Sequence, residues 1–164
     1  MMDFITDLPV SNGYDSIFTV VDRHSKAVIL SPCHKTITAE QTSQLLIDNV
    51  WKQTGFPLTI ISDQGPQFAA QVTQEFWRKL GIKQKLSTAF HPQTDGELEQ
   101  VNQELEQYLR ICRNFQQDKW ATILSIIEFA HNAQPHRSTH KSLFEIWYGF
   151  QPIFKPLLYL QTRV

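Results

Sequence analysis

The fold is decided by the stretch Leu58-Thr59-Ile60-Ile61-Ser62-Asp63-Gln64-Gly65-Pro66. Its first four residues form a short apolar run bounded by turn residues, which is typical of a buried strand. The segment before it predicts a helix, because Thr38 and Gln41 have the spacing of a capping box and Gly55 ends the segment. A strand that is reached through a helix lies parallel to an earlier strand. The stretch therefore predicts a layered α/β domain.

The first part of the chain predicts an antiparallel meander. Strand-like segments cover Asp3–Leu8, Ser16–Val21 and Ala27–Leu30, and the connections between them are short. A last strand is predicted over Lys83–Leu86, at an edge of the sheet. With the strand over Leu58–Ile61, these segments make a five-stranded mixed sheet.

The rest of the chain predicts helices. One of them carries Val72, Phe76 and Leu80 on a single face and ends at Gly81. A long amphipathic helix covers 98–112, a more apolar helix starts at 118, and a short one covers 142–147. This order predicts an α/β ribonuclease H-like fold with helices on both faces of the sheet. We expect 1–150 to form the domain and 151–164 to be a tail leading towards a domain absent from this chain.

Composition and charge limit the number of domains, the kinds of partner and the cellular setting that can be expected. The 164 residues suit one domain, and the net charge of −1 implies that any contact with nucleic acid comes from local patches. No apolar run approaches the roughly 20 residues of a membrane span, so no membrane partner is expected. Cys33 and Cys112 show no C-x-x-C pairing, and no signal-peptide pattern opens the chain. Both features predict an intracellular, reducing setting.

Two aspartates stand where a carboxylate is unusual. Asp63 follows the apolar run directly, so it projects from the carboxyl end of a central strand, where functional groups of α/β sheets gather. Its ordinary alternative is a turn residue that bonds its own backbone. Asp3 lies within a strand, on the face of Ile5 and Asp7, and a charge in a sheet needs a partner or a metal. Its ordinary alternative is an exposed strand end.

Glu99 is the third candidate carboxylate. Thr94 and Glu97 have capping-box spacing, which places Glu99 in the second turn of the long helix, beside Leu98 at the border of the buried face. Its ordinary alternative is a surface glutamate. Between Asp63 and Glu99 lie 35 residues, which gives a D-x35-E spacing. This spacing is considered together with the sequence fragments around the two residues.

An ordered series of fragments runs through essentially the whole chain. The fragments are Met2–Pro9, Val20–Arg23 with Ser25–Lys26, Gly55–Pro57, Ser62–Phe68, Leu86–Gly96, Glu99–Gln103, Glu128–Ala130 and Phe144–Gly149. Together with the D-x35-E gap, they resemble the catalytic core of retroviral-type integrases, most closely the integrase of gypsy-type LTR retrotransposons.

The resemblance implies a metal-dependent polynucleotidyl transferase. Such a protein trims the 3′ ends of element DNA and joins them to target DNA through attack by the 3′-hydroxyl group. Asp3, Asp63 and Glu99 match the catalytic carboxylates and would hold two Mg²⁺ or Mn²⁺ ions, for which oxygen ligands are suited. DNA and further copies of the chain are the implied partners. The implied place of action is the nucleus, reached through the cytoplasm.

Candidate DNA contacts also follow from the resemblance. His91, Gln93 and Thr94 fall in the segment that resembles the flexible active-site loop, and Asn102 and Gln103 come soon after it. Some positions depart from the family pattern: Gln64 replaces Arg, His140 replaces Gly, Leu143 replaces Pro, and Gln103 and Glu106 occupy the places of DNA-gripping lysines.

Two other functions remain open. One is a domesticated or decayed descendant that binds DNA or protein without catalysis. The other is a plain ribonuclease H-like nuclease, which the fragments around Glu99 disfavour.

Three further groups of residues have simpler interpretations. The basic cluster is either a solvated face or a DNA contact, and it consists of Arg78, Lys79, Lys83 and Lys85. Three histidines are expected at the surface or at helix ends: His131, His136 and His140. Four tryptophans are expected in the core: Trp51, Trp77, Trp120 and Trp147.

Overall fold

A computed structural model gives the architecture of the chain and describes residues 1–63, 65–86, 101–109, 119–136 and 139–153. A five-stranded mixed sheet forms the centre of the domain, as predicted. Its strands are β1 (Met2–Ile5), β2 (Ser16–Val21), β3 (Val28–Cys33), β4 (Thr59–Ser62) and β5 (Lys83–Leu86), in the order β3-β2-β1-β4-β5. The first three strands pair antiparallel, and β4 lies parallel to both β1 and β5.

The predicted crossover helix joins β3 to β4. It begins with α1 (Ala39–Leu46), and the Thr38 capping box is present, with Gln41 as its partner. A π-helical segment (Ile47–Trp51) and the short helix α2 (Lys52–Thr54) continue it. The helix ends at Gly55, whose φ of 76° lies in the left-handed region that glycine adopts most easily.

The other helices are α3 (Pro66–Ala69), α4 (Gln71–Lys79), α5 (helical residues 101–109), α6 (Trp120–Asn132) and α7 (Leu143–Trp147). The single helix predicted after Asp63 is split into α3 and α4, because Ala70 has an extended ψ of 137°. Helix α5 belongs to the predicted long helix, whose other residues lie outside those described. Of the predicted tail, only 151–153 are described.

Each face of the sheet buries one apolar cluster, which confirms the prediction of helices on both sides. On the α5 face, α5 and α6 pack against side chains from β1, β2 and β3; on the α1 face, α1, the π-helical segment, α3 and α4 pack against the sheet. The α5-face cluster contains Met1, Ile5, Ile17, Val21, Val28, Leu30, Leu105, Leu109, Trp120, Leu124 and Ile127. The α1-face cluster contains Met2, Phe18, Ile29, Cys33, Ile37, Leu46, Val50, Ile60, Phe68, Trp77 and Ile82.

Several boundaries differ from the predicted ones. Strand β1 ends at Ile5 rather than Leu8, and Asp7 leaves the sheet with a φ of 63° to contact Lys35, so Asp7 does not share a face with Asp3. Strand β3 runs through Pro32, which is tolerated because β3 is an edge strand. Strand β4 starts at Thr59, and Leu58 is 87% exposed.

Two of the four predicted core tryptophans, Trp77 and Trp120, are buried, and Trp147 is half-buried. Trp51 is 47% exposed and stacks on Phe56, so its assignment to the core was wrong. Among the described helices, none is long and apolar enough to cross a membrane.

Candidate active site

The parallel pairing of β1 and β4 brings two of the predicted carboxylates together. Met2 pairs with Ser62, so Asp3 and Asp63 each stand one residue further along neighbouring strands. Side chains alternate along a strand, and both aspartates therefore belong to the α5 face. Neighbouring strands lie about 4.8 Å apart, so the two side chains start close to each other.

Asp3 is half-buried and held from two directions. Its Oδ1 atom accepts a 2.8 Å hydrogen bond from the backbone N–H of Phe4. Its Oδ2 atom accepts a 2.6 Å hydrogen bond from Nδ2 of Asn102, on helix α5. Among the described residues, the buried Oδ1 atom of Asn102 has no hydrogen-bond partner. This amide therefore presents a donor to Asp3 and an unpaired oxygen beside it.

Asp63 is exposed and folds back on its own turn. Its Oδ1 atom accepts a 3.0 Å hydrogen bond from the N–H of Gly65. This bond is the one expected if Asp63 is a turn residue that bonds its own backbone. A Cβ atom at position 65 would lie 2.9 Å from the same oxygen. Glycine at this position therefore leaves room for the carboxylate at the edge where Asp3 also lies.

The third carboxylate of the predicted set, Glu99, lies outside the described residues, as do His91, Gln93 and Thr94. Within the described ranges, no group of three His, Cys, Asp or Glu residues could hold a metal ion. The chemistry of the residues that are present fits Mg²⁺ or Mn²⁺, because both aspartates offer hard oxygen ligands and the unpaired amide oxygen of Asn102 adjoins Asp3.

Strand register also places part of the basic cluster on the α5 face. Lys85 pairs with Ile61 and Lys83 with Thr59, so both lysines share the face of Asp63, and both are exposed. Gln103 is exposed on α5, whereas Asn102 is half-buried against Asp3. The sequence grouped the basic residues by proximity alone and could not tell which of them share a face with the carboxylates.

Sequence reasoning missed Thr19. This residue is fully buried and stands directly opposite Asp3 in the β1–β2 pairing. Its hydroxyl group has no hydrogen-bond partner in the described part of the chain. Thr19 lies opposite Asp3 because of the register between β1 and β2. The sequence of one strand alone does not predict this register.

Two cavities lie away from the aspartates. A cavity of about 470 Å³ opens at the other end of the sheet, where Met1, Thr59 and Ile60 line it. A smaller one, of about 200 Å³, is lined by Glu104, His131 and His136. His131 is in the last turn of α6, as predicted, with Nδ1 3.7 Å from a Glu104 oxygen. Burial lowers the pKa of His131, against the opposing effect of Glu104.

Comparison with known proteins identifies the family. Residues 1–92 match the family described as "Integrase core domain". The chain belongs to this family. Relatives of this integrase core in Schizosaccharomyces pombe include the Transposon Tf2-3 and Tf2-4 polyproteins, each 40% identical over 156 residues. The matched region covers 95% of this chain but 12% of each polyprotein, so the chain spans about an eighth of their length.

Solved structures share the fold of this integrase core domain. The HTLV-2 integrase catalytic core domain, solved in complex with magnesium in a trimeric form, has a TM-score of 0.70 at 22% identity, covering 88% of this chain and 92% of that chain. The catalytic core domain of BIV integrase has a TM-score of 0.69 at 21% identity, covering 99% and 95%. These likenesses establish the ribonuclease H-like fold.

Proposed function

We propose that this chain is the catalytic core of a retroelement integrase, a polynucleotidyl transferase that trims the 3′ ends of element DNA and joins them to target DNA. The placement of Asp3 and Asp63 carries the proposal. Asp3 lies in β1 and Asp63 directly follows the neighbouring parallel strand β4, both belong to one face, and the resemblance of the sequence assigns both positions to catalytic carboxylates. Residues 1–150 would form this core, and 151–164 would lead towards another domain.

The proposed metal ligands are Asp3, Asp63 and Glu99. Glu99 stands three positions before Asn102, and residues at this spacing share one side of a helix. Since Asn102 contacts Asp3, a helix that continued through Glu99 would turn its carboxylate towards the same site. When bound, two divalent cations would supply the stabilisation of the attacking and leaving oxygens in a displacement at phosphorus. The magnesium complex of the HTLV-2 core supports this choice of metal.

The described residues would orient the ligands and the DNA. The Phe4 N–H and the Asn102 amide fix the direction of the Asp3 carboxylate, and the Gly65 N–H fixes that of Asp63. Exposed lysines on the same face offer charge to the phosphate backbone. Association between copies of the chain is part of the proposal, and the dimeric and trimeric forms of the HTLV-2 core support it.

Replacement of Asp63 tests the metal site. Asp63→Asn keeps the shape of the side chain and the turn but removes one negative charge, so we expect it to lose Mn²⁺ binding measured by titration calorimetry while the fold is retained. Asp7→Asn is the matched control, because Asp7 is exposed, lies outside the sheet and pairs with Lys35. Equal Mn²⁺ affinity in wild type and Asp63→Asn would refute the proposed site.

A branched DNA substrate tests the reaction itself. With Mn²⁺, wild type should join the strands of such a substrate, and Asp63→Asn should not. Mn²⁺ binding without any strand transfer by wild type would favour the alternative of a domesticated module that retains the site without its catalytic use.

A further inference from the structure

Strand β5 forms one edge of the sheet, and in the described part of the chain its outer side pairs with no other strand. The Lys83 N–H donates to the Leu58 carbonyl oxygen, so the backbone groups of Lys83 are directed towards β4. Successive residues of a strand direct their backbone groups to opposite sides, and those of Lys85 therefore also face β4. The N–H and C=O groups of Gln84 and Leu86 point outwards. These are the donors and acceptors that an added strand uses.

The two edges of the sheet differ in this respect. Along β3, side chains of α6 bond to the strand backbone: Glu128 accepts from the Leu30 N–H, and Asn132 bonds to both backbone groups of Val28. Within the described residues, no side chain or backbone group bonds in this way to the outer side of β5. The β5 edge is therefore the one that is open to a partner.

A groove of about 430 Å³ lies beside the β5 edge, on the α1 face, and it is lined by Gln74, Arg78, Ile82, Gln84 and Leu86. Ile82 and Leu86 supply apolar surface, and Arg78 is exposed. Gln84 Nε2 donates a 2.8 Å hydrogen bond to the Phe68 carbonyl oxygen. The Oε1 atom of Gln84 is buried and has no hydrogen-bond partner among the described residues. The groove thus combines an apolar floor with an acceptor that is left to a ligand.

Charge selects the kind of strand that fits this edge. Between 71 and 86 there are four cations and one acid, namely Arg78, Lys79, Lys83, Lys85 and Glu75. Lys83 and Lys85 are exposed on the α5 face of β5 itself. A second copy of β5 would place lysine beside lysine, and like charges on neighbouring strands are destabilising. An acidic strand gains from the same two side chains, so they reject one partner and favour the other.

We propose that the outer edge of β5 binds an extended acidic segment of a partner protein by strand addition. The backbone of the segment pairs with the outward groups of Gln84 and Leu86. Its side chains alternate between the two faces, so acidic residues meet Lys83 and Lys85 while the residue between them enters the groove. Glutamine fits there, because its stem packs on Ile82 and its amide donates to Gln84 Oε1. This interaction is independent of the proposed metal site.

A short fluorescein-labelled peptide, in which glutamate alternates with valine and at the centre with glutamine, is the probe. Fluorescence anisotropy should show saturable binding to the whole chain. A peptide of the same composition with consecutive glutamates should bind at least about 10-fold more weakly, because its acids no longer share one face. A peptide with N-methylated backbone amides should lose at least about as much, because it keeps the charge but not the strand hydrogen bonds.

Charge reversal on the protein locates the binding site. The double variant Lys83→Glu, Lys85→Glu should bind the acidic peptide at least about 10-fold more weakly than wild type. It should instead bind a peptide with lysine in place of each glutamate. The double variant Lys119→Glu, Lys141→Glu is the matched control, because it changes the net charge equally at exposed positions beside α6 and α7. It should bind the acidic peptide as wild type does.

Amide hydrogen exchange followed by NMR separates strand addition from other interactions. In the free chain, the Gln84 and Leu86 amides should exchange faster than those of Lys83 and Lys85, and the acidic peptide should slow them. Slow exchange of Gln84 and Leu86 without peptide would overturn the proposal, because the edge would already be paired. Equal affinity for the N-methylated peptide would overturn it too, because charge alone would then explain binding. Duplex DNA in EDTA should leave these two amides unchanged; protection equal to that by the peptide would make the edge a DNA contact instead.

Discussion

At the scale of single residues, Gly65 shows how one missing methyl group shapes the site. Its φ of −52° and ψ of 145° suit any residue, so the backbone does not require glycine here. The constraint comes from the Asp63 carboxylate, because a Cβ atom would stand 2.9 Å from its Oδ1 atom. That oxygen is at the end of a short flexible side chain, which can turn away without disturbing the core.

Gly65→Ala should therefore separate stability from metal binding. We expect an unchanged free energy of unfolding or a gain of up to about 1 kcal/mol, since alanine restricts the unfolded chain. Mn²⁺ affinity should fall, because Asp63 must leave its present position. Gly13→Ala serves as the opposite control: with a φ of 88°, it should lose stability and keep its affinity. Gly65→Ala with wild-type Mn²⁺ affinity would contradict the role assigned to this glycine.

At the scale of elements, helix α6 closes the exposed edge of the sheet. Glu128 Oε2 accepts a 2.7 Å hydrogen bond from the Leu30 N–H. Asn132, one turn later, accepts from the Val28 N–H and donates to the Val28 carbonyl oxygen, at 2.9 and 2.7 Å. The two side chains thus replace a further strand along β3, which protects that edge from pairing with another chain.

The charge of Glu128 makes this edge sensitive to pH. Burial raises the pKa of Glu128 above its ordinary value of 4.5, against the opposing effects of the Leu30 N–H and Lys52. A raised folded-state pKa means that the contribution of Glu128 to stability is fully present below pH 4.5 and is lost as pH rises through the folded-state pKa. Glu128→Gln can still accept the Leu30 bond but cannot ionise. Its stability relative to wild type should therefore be greater at pH 8 than at pH 4.

Urea unfolding of both proteins at the two pH values measures this difference. Glu40→Gln is the control for the same chemical change at an exposed position of α1. If the difference in free energy of unfolding between Glu128→Gln and wild type did not change with pH, burial of the Glu128 carboxylate would not destabilise its charged form.

The helices and strands also show which features the sequence could predict and which depend on tertiary structure. The strand over Ser16–Val21 and the capping box at Thr38 were predicted correctly, because local patterns determine them. The end of β1 at Ile5 and the break at Ala70 depend on tertiary packing and backbone angles that no periodicity records. The candidate carboxylates could be chosen from motifs, whereas Thr19 opposite Asp3 became visible only through strand register.

At the scale of the whole molecule, the net charge limits the electrostatic contribution to DNA binding. The net charge is −1, so no overall positive field draws a polyanion to the surface. Attraction must come from cations that share a face with the carboxylates. Register puts Lys83 and Lys85 on that face, while the exposed α5 positions 103 and 106 hold Gln103 and Glu106, which add no positive charge.

The isolated chain should therefore bind DNA weakly, with a shallow dependence on salt. Each neutralised phosphate contributes about 0.9 to the slope of log affinity against log salt, so two or three contacts would give a slope of roughly 2 to 3 in magnitude. Fluorescence anisotropy with labelled duplex DNA in EDTA measures it without turnover. Lys85→Glu should lower the slope by about one or more, because it removes a phosphate contact from the α5 face. Lys141→Glu changes the net charge equally at an exposed turn beside α7 and should leave the slope nearly unaltered. A wild-type slope of about 5 or more, equivalent to six or more phosphate contacts, would refute this account. So would equal slopes for the two lysine variants, because net charge rather than the face shared with Asp63 would then govern DNA binding.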